Sequence, residues 1–402
     1  LILDRAALAA LLVLPAFLMH GRGVADTLIV LIGLAFLAHC AITRDTSPLR
    51  PLWLRVGLVW WAWLVLCSLP FVGIGGWRSF GHALAALRFL VFVAALQSWL
   101  LPPARARRWL SWVLTASALY IGLSALLQAA TGRDLVGWRR GPEGELTGPF
   151  QHPRAGAPLS RLLFPVLLPP VSRWLARGST WRTASVLLAV ASVGTIVLIG
   201  QRMPALLTGL GLVVTALLLP RLRGIVLTAM LAAGLLIASS SVVSPPVWHR
   251  LVEKFSTQMD HFWNSDYGLI YHRAIAMAEA RPVLGWGYEG FRNGCGAAAY
   301  CNIHPHNHYL EAATDSGVPG LALFCLLILC WWRDLFRGLW RRPEPLRVGL
   351  FVAALIQEWP LASASSFYAV EIAGFFLVLL GWGLAEADRT SSTVPSAGTP
   401  ST

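Results

Sequence analysis

Residues 224–243 read GIVLTAMLAAGLLIASSSVV, twenty consecutive positions without a charge, preceded by Arg221 and Arg223. At about 1.5 Å rise per residue, roughly 20 apolar residues in a helix cross the hydrocarbon core of a bilayer. Working outward, comparable runs occupy 6–19, 24–42, 55–71, 80–100, 109–130, 155–173, 183–200, 203–220, 307–332, 346–363 and 367–385. An all-α integral membrane protein of about twelve transmembrane helices is therefore expected. The composition agrees. Of 402 residues, 56% are hydrophobic and 13% charged, against about 25% charged in a soluble domain. That excludes an ordinary cytosolic protein.

The remaining stretches define the organisation: spans one to nine over 1–243, a large loop over 244–306, spans ten to twelve over 307–387, and a polar tail over 388–402. The tail is rich in Ser, Thr and Pro, a composition that predicts disorder. No small-residue cleavage site followed by a soluble domain marks the first span as a signal peptide.

The net charge is +13, with Lys254 the only lysine. The cations sit at the ends of apolar runs, so the charge points to membrane topology and anionic lipid rather than to nucleic acid. Arg44, Arg50 and Arg55; Arg105, Arg107 and Arg108; Arg173, Arg177 and Arg182; Arg221 and Arg223; and the cluster from Arg333 to Arg347 fall in alternate connections. The positive-inside rule assigns these to the cytoplasm, with both termini. The opposite face carries Arg133, Arg139, Arg140, Arg154, Arg250, Lys254, Arg273, Arg281 and Arg292 in two long loops, 131–154 and 244–306. Cations there gain nothing from the cytoplasmic leaflet, so an anionic partner on the outer side is expected.

The larger loop has structure of its own. Trp248, Leu251, Val252, Phe255, Met259 and Phe262 recur at helical spacing, which predicts an amphipathic helix on the membrane or capping the bundle. Asn264, Ser265 and Asp266 offer cap chemistry for a second helix, ended by Pro282. The run Gly285-Trp-Gly-Tyr-Glu-Gly290 has no strand before it, so it predicts a tight turn and not a dinucleotide site. Cys295 and Cys301 share this loop. In an oxidising compartment a disulfide is favoured; free thiols and a metal site with His304 and His306 or His308 are the rivals.

The run Pro305-His-Asn-His-Tyr-Leu-Glu-Ala-Ala-Thr-Asp-Ser-Gly-Val-Pro-Gly-Leu321 resembles the signature of the O-antigen ligase and polymerase superfamily, where it opens the span after the large periplasmic loop. Gly200-Gln-Arg202 resembles that family's Ser-Arg-Gly-like turn, although Gln201 and Met203 stand where small residues are usual. His272-Arg273 with Ala280-Arg-Pro-Val-Leu-Gly-Trp-Gly287 resembles its loop arginine and Pro-Leu-Gly element, and Gly148-Pro-Phe-Gln-His152-Pro-Arg154 its outer motif. The resemblance implies a GT-C-like glycosyltransferase of the bacterial inner membrane. It would move a glycan from undecaprenyl pyrophosphate to a sugar hydroxyl of lipid A–core on the periplasmic side. An O-antigen or exopolysaccharide polymerase, with a second lipid-linked glycan as acceptor, is the alternative. A polytopic transporter or flippase is a third reading, disfavoured by the absence of repeats and by polar chemistry concentrated on one face.

The donor already carries its leaving group, so no ATP and no cofactor is required. Arginine binds phosphate oxygens bidentately and stays charged, and the only close outer match to an acidic metal motif is Glu143-Gly-Glu145. A metal-independent arginine site is expected. Arg202 and Arg273 are assigned to the pyrophosphate, with Arg154, Arg161, Arg88 and His152 as further substrate contacts. Arg88 and Arg161 lie at membrane depth, where a charge must face the bundle interior; pairs with Glu358 or Glu371 are equally expected of them. His306 is the expected general base, with His304 and His308 competing on spacing. Asn307 is placed to cap span ten, and Glu311, one turn on, to orient the base.

Overall fold

The computed structural model describes residues 2–297, 300–301 and 304–392, and all regular structure among them is helical. In chain order the helices are α1 (Ile2–His20), α2 (Arg22–Thr43), α3 (Leu52–Cys67), α4 (Gly76–Ala85), α5 (Leu87–Ala95), α6 (Ala104–Thr131), α7 (Gly156–Leu175), α8 (Ser179–Ile199), α9 (Arg202–Leu218) and α10 (Arg223–Val243). The large loop carries α11 (Pro245–Trp248), α12 (Lys254–Asp260), α13 (Asp266–Ala280) and α14 (Gly290–Gly294). The chain closes with α15 (His308–Phe336), α16 (Pro345–Gln357) and α17 (Val370–Ser392).

Among the described residues, seven helical stretches are long and apolar enough to cross a membrane, and α3, α9 and α16 are shorter apolar helices. The packing has the polarity of a membrane protein. Leu227, Leu231 and Leu235, four residues apart on α10, are exposed. Such an apolar stripe needs a non-aqueous neighbour. The interior holds fully buried aromatics, among them Trp53 on α3 against Trp331 on α15, with Phe164 on α7 and Phe375 on α17. α7 is central, packed against α6, α8, α9, α16 and α17.

Several charges within the bundle are paired, which offsets the cost of burial in low dielectric. Arg107 meets Glu386 at 2.9 Å and Arg88 meets Asp26 at 2.9 Å. Glu371 takes Arg154 at 2.8 Å and Arg22 at 3.2 Å.

Three boundaries differ from expectation. The run 346–363 does not stay helical: α16 ends at Gln357, because Pro360 disfavours the helical conformation in the residue before it. Residues 358–369 instead fold back as an irregular segment. The expected disordered tail begins too early, since 388–392 continue α17; the rest of that stretch, 393–402, lies outside the described residues. The amphipathic helix from Trp248 to Phe262 is interrupted by a π turn at His249–Glu253.

Gly285-Trp-Gly287 is a tight turn with φ of 62° and 85° at its glycines. It lies against α15, with the N–H of Trp286 donating to Thr314 and that of Gly287 to Asp315. A Cβ on Gly285 would stand 2.6 Å from the Asp315 backbone, so close approach fixes the glycine there.

Candidate active site

The irregular segment 358–369, the first turns of α7 and α9, the stretch from Arg250 to Tyr271, and His306 enclose a cavity of about 610 Å³. Its polar lining includes Arg161, Gln201, Arg202, Arg250, Tyr267, Tyr271 and His306, and its roof is Phe255, Met259 and Phe262. The apolar spacing that predicted an amphipathic helix therefore serves a cap over this cavity.

Local rules place the arginines. α8 ends at Gly200 in the left-handed conformation and Gln201 is extended, which makes Arg202 the first residue of α9. Its guanidinium donates to Gln258 on α12. Arg250 donates from Nε to the Gly200 carbonyl at 2.9 Å and pairs with Glu143 and, at 3.3 Å, with Glu145. Lys254 also bonds Glu143, at 2.6 Å, and its ammonium holds that carboxyl below the usual range. The Glu-Gly-Glu stretch considered as a metal motif thus clamps the cavity's cap. Arg161 is buried on α7, with the Glu358 carboxylate acting on it electrostatically, and its Nε and one terminal nitrogen have no hydrogen-bond partner.

The three histidines take different positions. His306 lines the cavity, has φ of 55° and packs edge-on against Tyr267, ring centroids 5.4 Å apart. Its carbonyl accepts the Ala364 N–H at 2.8 Å, and its own N–H donates to His304 Nδ1 at 3.2 Å. Burial holds its imidazole below the ordinary value. His304 is pushed down to about 3 by burial, with His306 and His308 adding to it, so it stays neutral with Nδ1 as acceptor. His308 is clamped: Nδ1 meets Glu358 at 2.8 Å and Nε2 meets the Ser365 carbonyl at 2.8 Å. A carbonyl only accepts, so Nε2 carries a proton. Both ring nitrogens of His308 are thus engaged within the protein.

Several residues assigned from the sequence lie elsewhere. Arg273 does not line the cavity; its guanidinium donates to the Gly294 carbonyl at 3.2 Å. Arg154 is held by Glu371, Arg88 by Asp26, and His152 is exposed. Neither Arg88 nor Arg161 pairs with Glu371, which Arg154 and Arg22 occupy. Asn307 caps α15 as expected, its Oδ1 accepting the N–H groups of Tyr309 and Leu310. Its Nδ2 donates to Pro360 at 2.8 Å, so the amide is committed to holding the irregular segment. Glu311 accepts the Phe367 N–H at 2.9 Å and steadies the same segment rather than the His306 ring. Cys295 and Cys301 form a disulfide, which leaves no thiolate for a metal. Among the described residues, no group of three or more His, Cys, Asp or Glu is placed to hold a metal ion.

Sequence reasoning passed over Arg250, Tyr267 and Tyr271 as site residues. Arg250 carried a signal, an outer-face cation without a lipid rationale, but shared it with every other cation in the two loops. The tyrosines carried none. Burial pushes the Tyr271 phenol up to about 12, so it remains a donor at neutral pH.

A second, apolar groove of about 310 Å³ runs between α8, α9 and α10 and shares Arg202, Leu206 and Phe255 with the cavity. Fold and site together define a helical membrane protein with a cationic, histidine-bearing cavity beside an apolar groove. A family model described as O-Antigen ligase matches residues 187–325, from within α8 into α15. That match supports the O-antigen ligase/polymerase superfamily, whose members are glycosyltransferase-like enzymes. A search of the curated proteins finds no match.

Proposed function

We propose that this chain is an O-antigen ligase-type glycosyltransferase of the bacterial inner membrane, spanning it about twelve times with a GT-C-like arrangement and a cavity that opens to the periplasm. It moves a glycan from undecaprenyl pyrophosphate to a sugar hydroxyl of lipid A–core. The observation that carries this reading is the junction at Arg202, where the apolar groove meets a cavity holding Arg161, Arg250 and His306. A lipid pyrophosphate has that same division, an apolar chain ending in a concentrated negative charge.

In this reading the acceptor hydroxyl oxygen bonds to the anomeric carbon as the carbon–oxygen bond to pyrophosphate breaks. The electron pair leaves on undecaprenyl pyrophosphate, and the hydroxyl proton passes to the His306 imidazole. One displacement inverts the anomeric centre. Arg202, Arg161 and Arg250 stabilise the charge growing on the leaving group, the role preorganised donors fill best in a site shielded from water. No metal or ATP takes part. Arg273 ties α13 to the end of α14 through the Gly294 carbonyl.

The test is transfer by the purified protein in nanodiscs with EDTA present. Glycan on lipid A–core is the expected product. Polymer growing on undecaprenyl pyrophosphate instead would make it a polymerase, and loss of activity to EDTA would overturn the metal-independent mechanism. Topology reporters after Arg342 and near Ser265 should fall on opposite sides of the membrane.

A further inference from the structure

Gln201 stands at the turn where the family resemblance expects a small residue, and it is buried between α7 and α9. Its Oε1 accepts the Gly156 N–H at 3.1 Å. That donor fixes which end of the amide faces α7, because only the oxygen can accept it. The amide nitrogen therefore lies at the other end, and there Nε2 is buried with no hydrogen-bond partner. Contact with α7 is close, since a Cβ on Gly156 would fall 2.5 Å from Oε1, and turning the amide over would set its N–H₂ against the Gly156 N–H, donor against donor. Gln201 and Arg161 both line the cavity, and both present buried donors without partners. Buried donors left unmet are costly and rare in a native fold. Gln201 also makes no side-chain cap to α9, so the first turn of that helix adds its positive end to the same place.

We infer that Gln201 is a substrate-binding residue whose amide N–H₂ donates to a non-bridging phosphate oxygen of the lipid donor, on the cavity floor shared with Arg161. The inference rests on the lipid-pyrophosphate reading above. Gln201 is a donor of fixed direction here, and the glycine at 156 is what fixes it.

Gln201→Glu tests this directly. It keeps an oxygen for the Gly156 N–H and replaces the two donors with an anion. Binding of sugar-free undecaprenyl pyrophosphate to protein in nanodiscs should weaken roughly tenfold or more. The KM for donor should rise, and that for acceptor should hold. Gln201→Met, neutral and similar in size, should weaken binding less, and it gives the same reading if the glutamate variant does not fold. Unchanged affinity in a folded variant overturns the assignment. So does a loss confined to glycan-bearing donor, which would place the amide on a sugar. Absence of undecaprenyl pyrophosphate binding by the wild-type protein would remove the functional reading itself, an outcome distinct from either.

Discussion

His304 Nδ1 accepts the backbone N–H of His306 at 3.2 Å, and that bond separates the roles of neighbouring histidines. A neutral His304 ring and the Ala364 N–H together hold His306 at φ 55°, a conformation L-residues adopt at a cost. The imidazole facing the cavity is thus set by its own backbone.

His306→Ala should lower transfer by about 10²–10⁴-fold, the usual weight of general-base catalysis, with donor binding intact. His304→Ala should cost less, because it loosens the backbone of the base without removing it. His308→Ala should act mainly on stability: it strands Glu358, which is 1% exposed, and breaking a buried pair costs about 3–5 kcal/mol. Transfer rates and thermal unfolding at matched expression separate the three. Near-normal transfer by His306→Ala would sink the base assignment.

A base must be unprotonated to act, and burial holds His306 below the ordinary value near 6.5. The acid limb of kcat/KM should therefore have its midpoint below pH 6.5, with activity flat above it until another group titrates. Tyr267→Ala opens the ring to water and should move that limb upward toward 6.5. A wild-type limb at or above 6.5 contradicts the buried-base geometry.

Arg202→Ala and Arg161→Ala should each reduce kcat/KM by about 10²–10³-fold, the effect of removing one preorganised charge donor at a reacting centre. Lysine should rescue poorly at both, since the planar fork is lost. Arg273→Ala should cost less than either, because its guanidinium serves the Gly294 carbonyl. Equal losses at Arg273 and Arg202 would place Arg273 on the substrate after all.

The disulfide closes a short loop just before His304 and His306. Cys295→Ser should lower stability by about 2 kcal/mol on the loop-entropy account. It should also slow transfer, and added zinc should restore neither property. Thiol labelling before and after reduction checks the bridge, and unchanged unfolding in Cys295→Ser would show that it bears no load.

Much of this was legible in the sequence because it depends on local, periodic features. Apolar runs give helices wherever backbone hydrogen bonds must close within the segment, and the expected runs fall largely on helical stretches, 80–100 on α4, α5 and the turn after them and 346–363 only as far as Gln357. Ser265 accepts the Gly268 N–H at the start of α13, and Asn307 caps α15, both read from residue type and position. Gly285 and Gly287 were legible as a turn for the same reason. The eleventh span is shorter than its apolar run because apolar residues continue past the point where Pro360 stops the helix.

The sequence by itself determined a helical membrane protein, its loop cations, the cap over α15 and the pair of cysteines, since each follows from chain-local composition or spacing. Only the tertiary structure decided which cations face the cavity and which histidine does. Arg161, Arg202 and Arg250 come from α7, α9 and the large loop, while Arg273 and Arg154, equally basic and nearby in sequence, bond elsewhere. His306 and His308 are two residues apart, yet Glu358 and Ser365 take both nitrogens of His308, while His306 lines the cavity. A side chain's partner depends on what distant segments bring to it, and no local pattern encodes that.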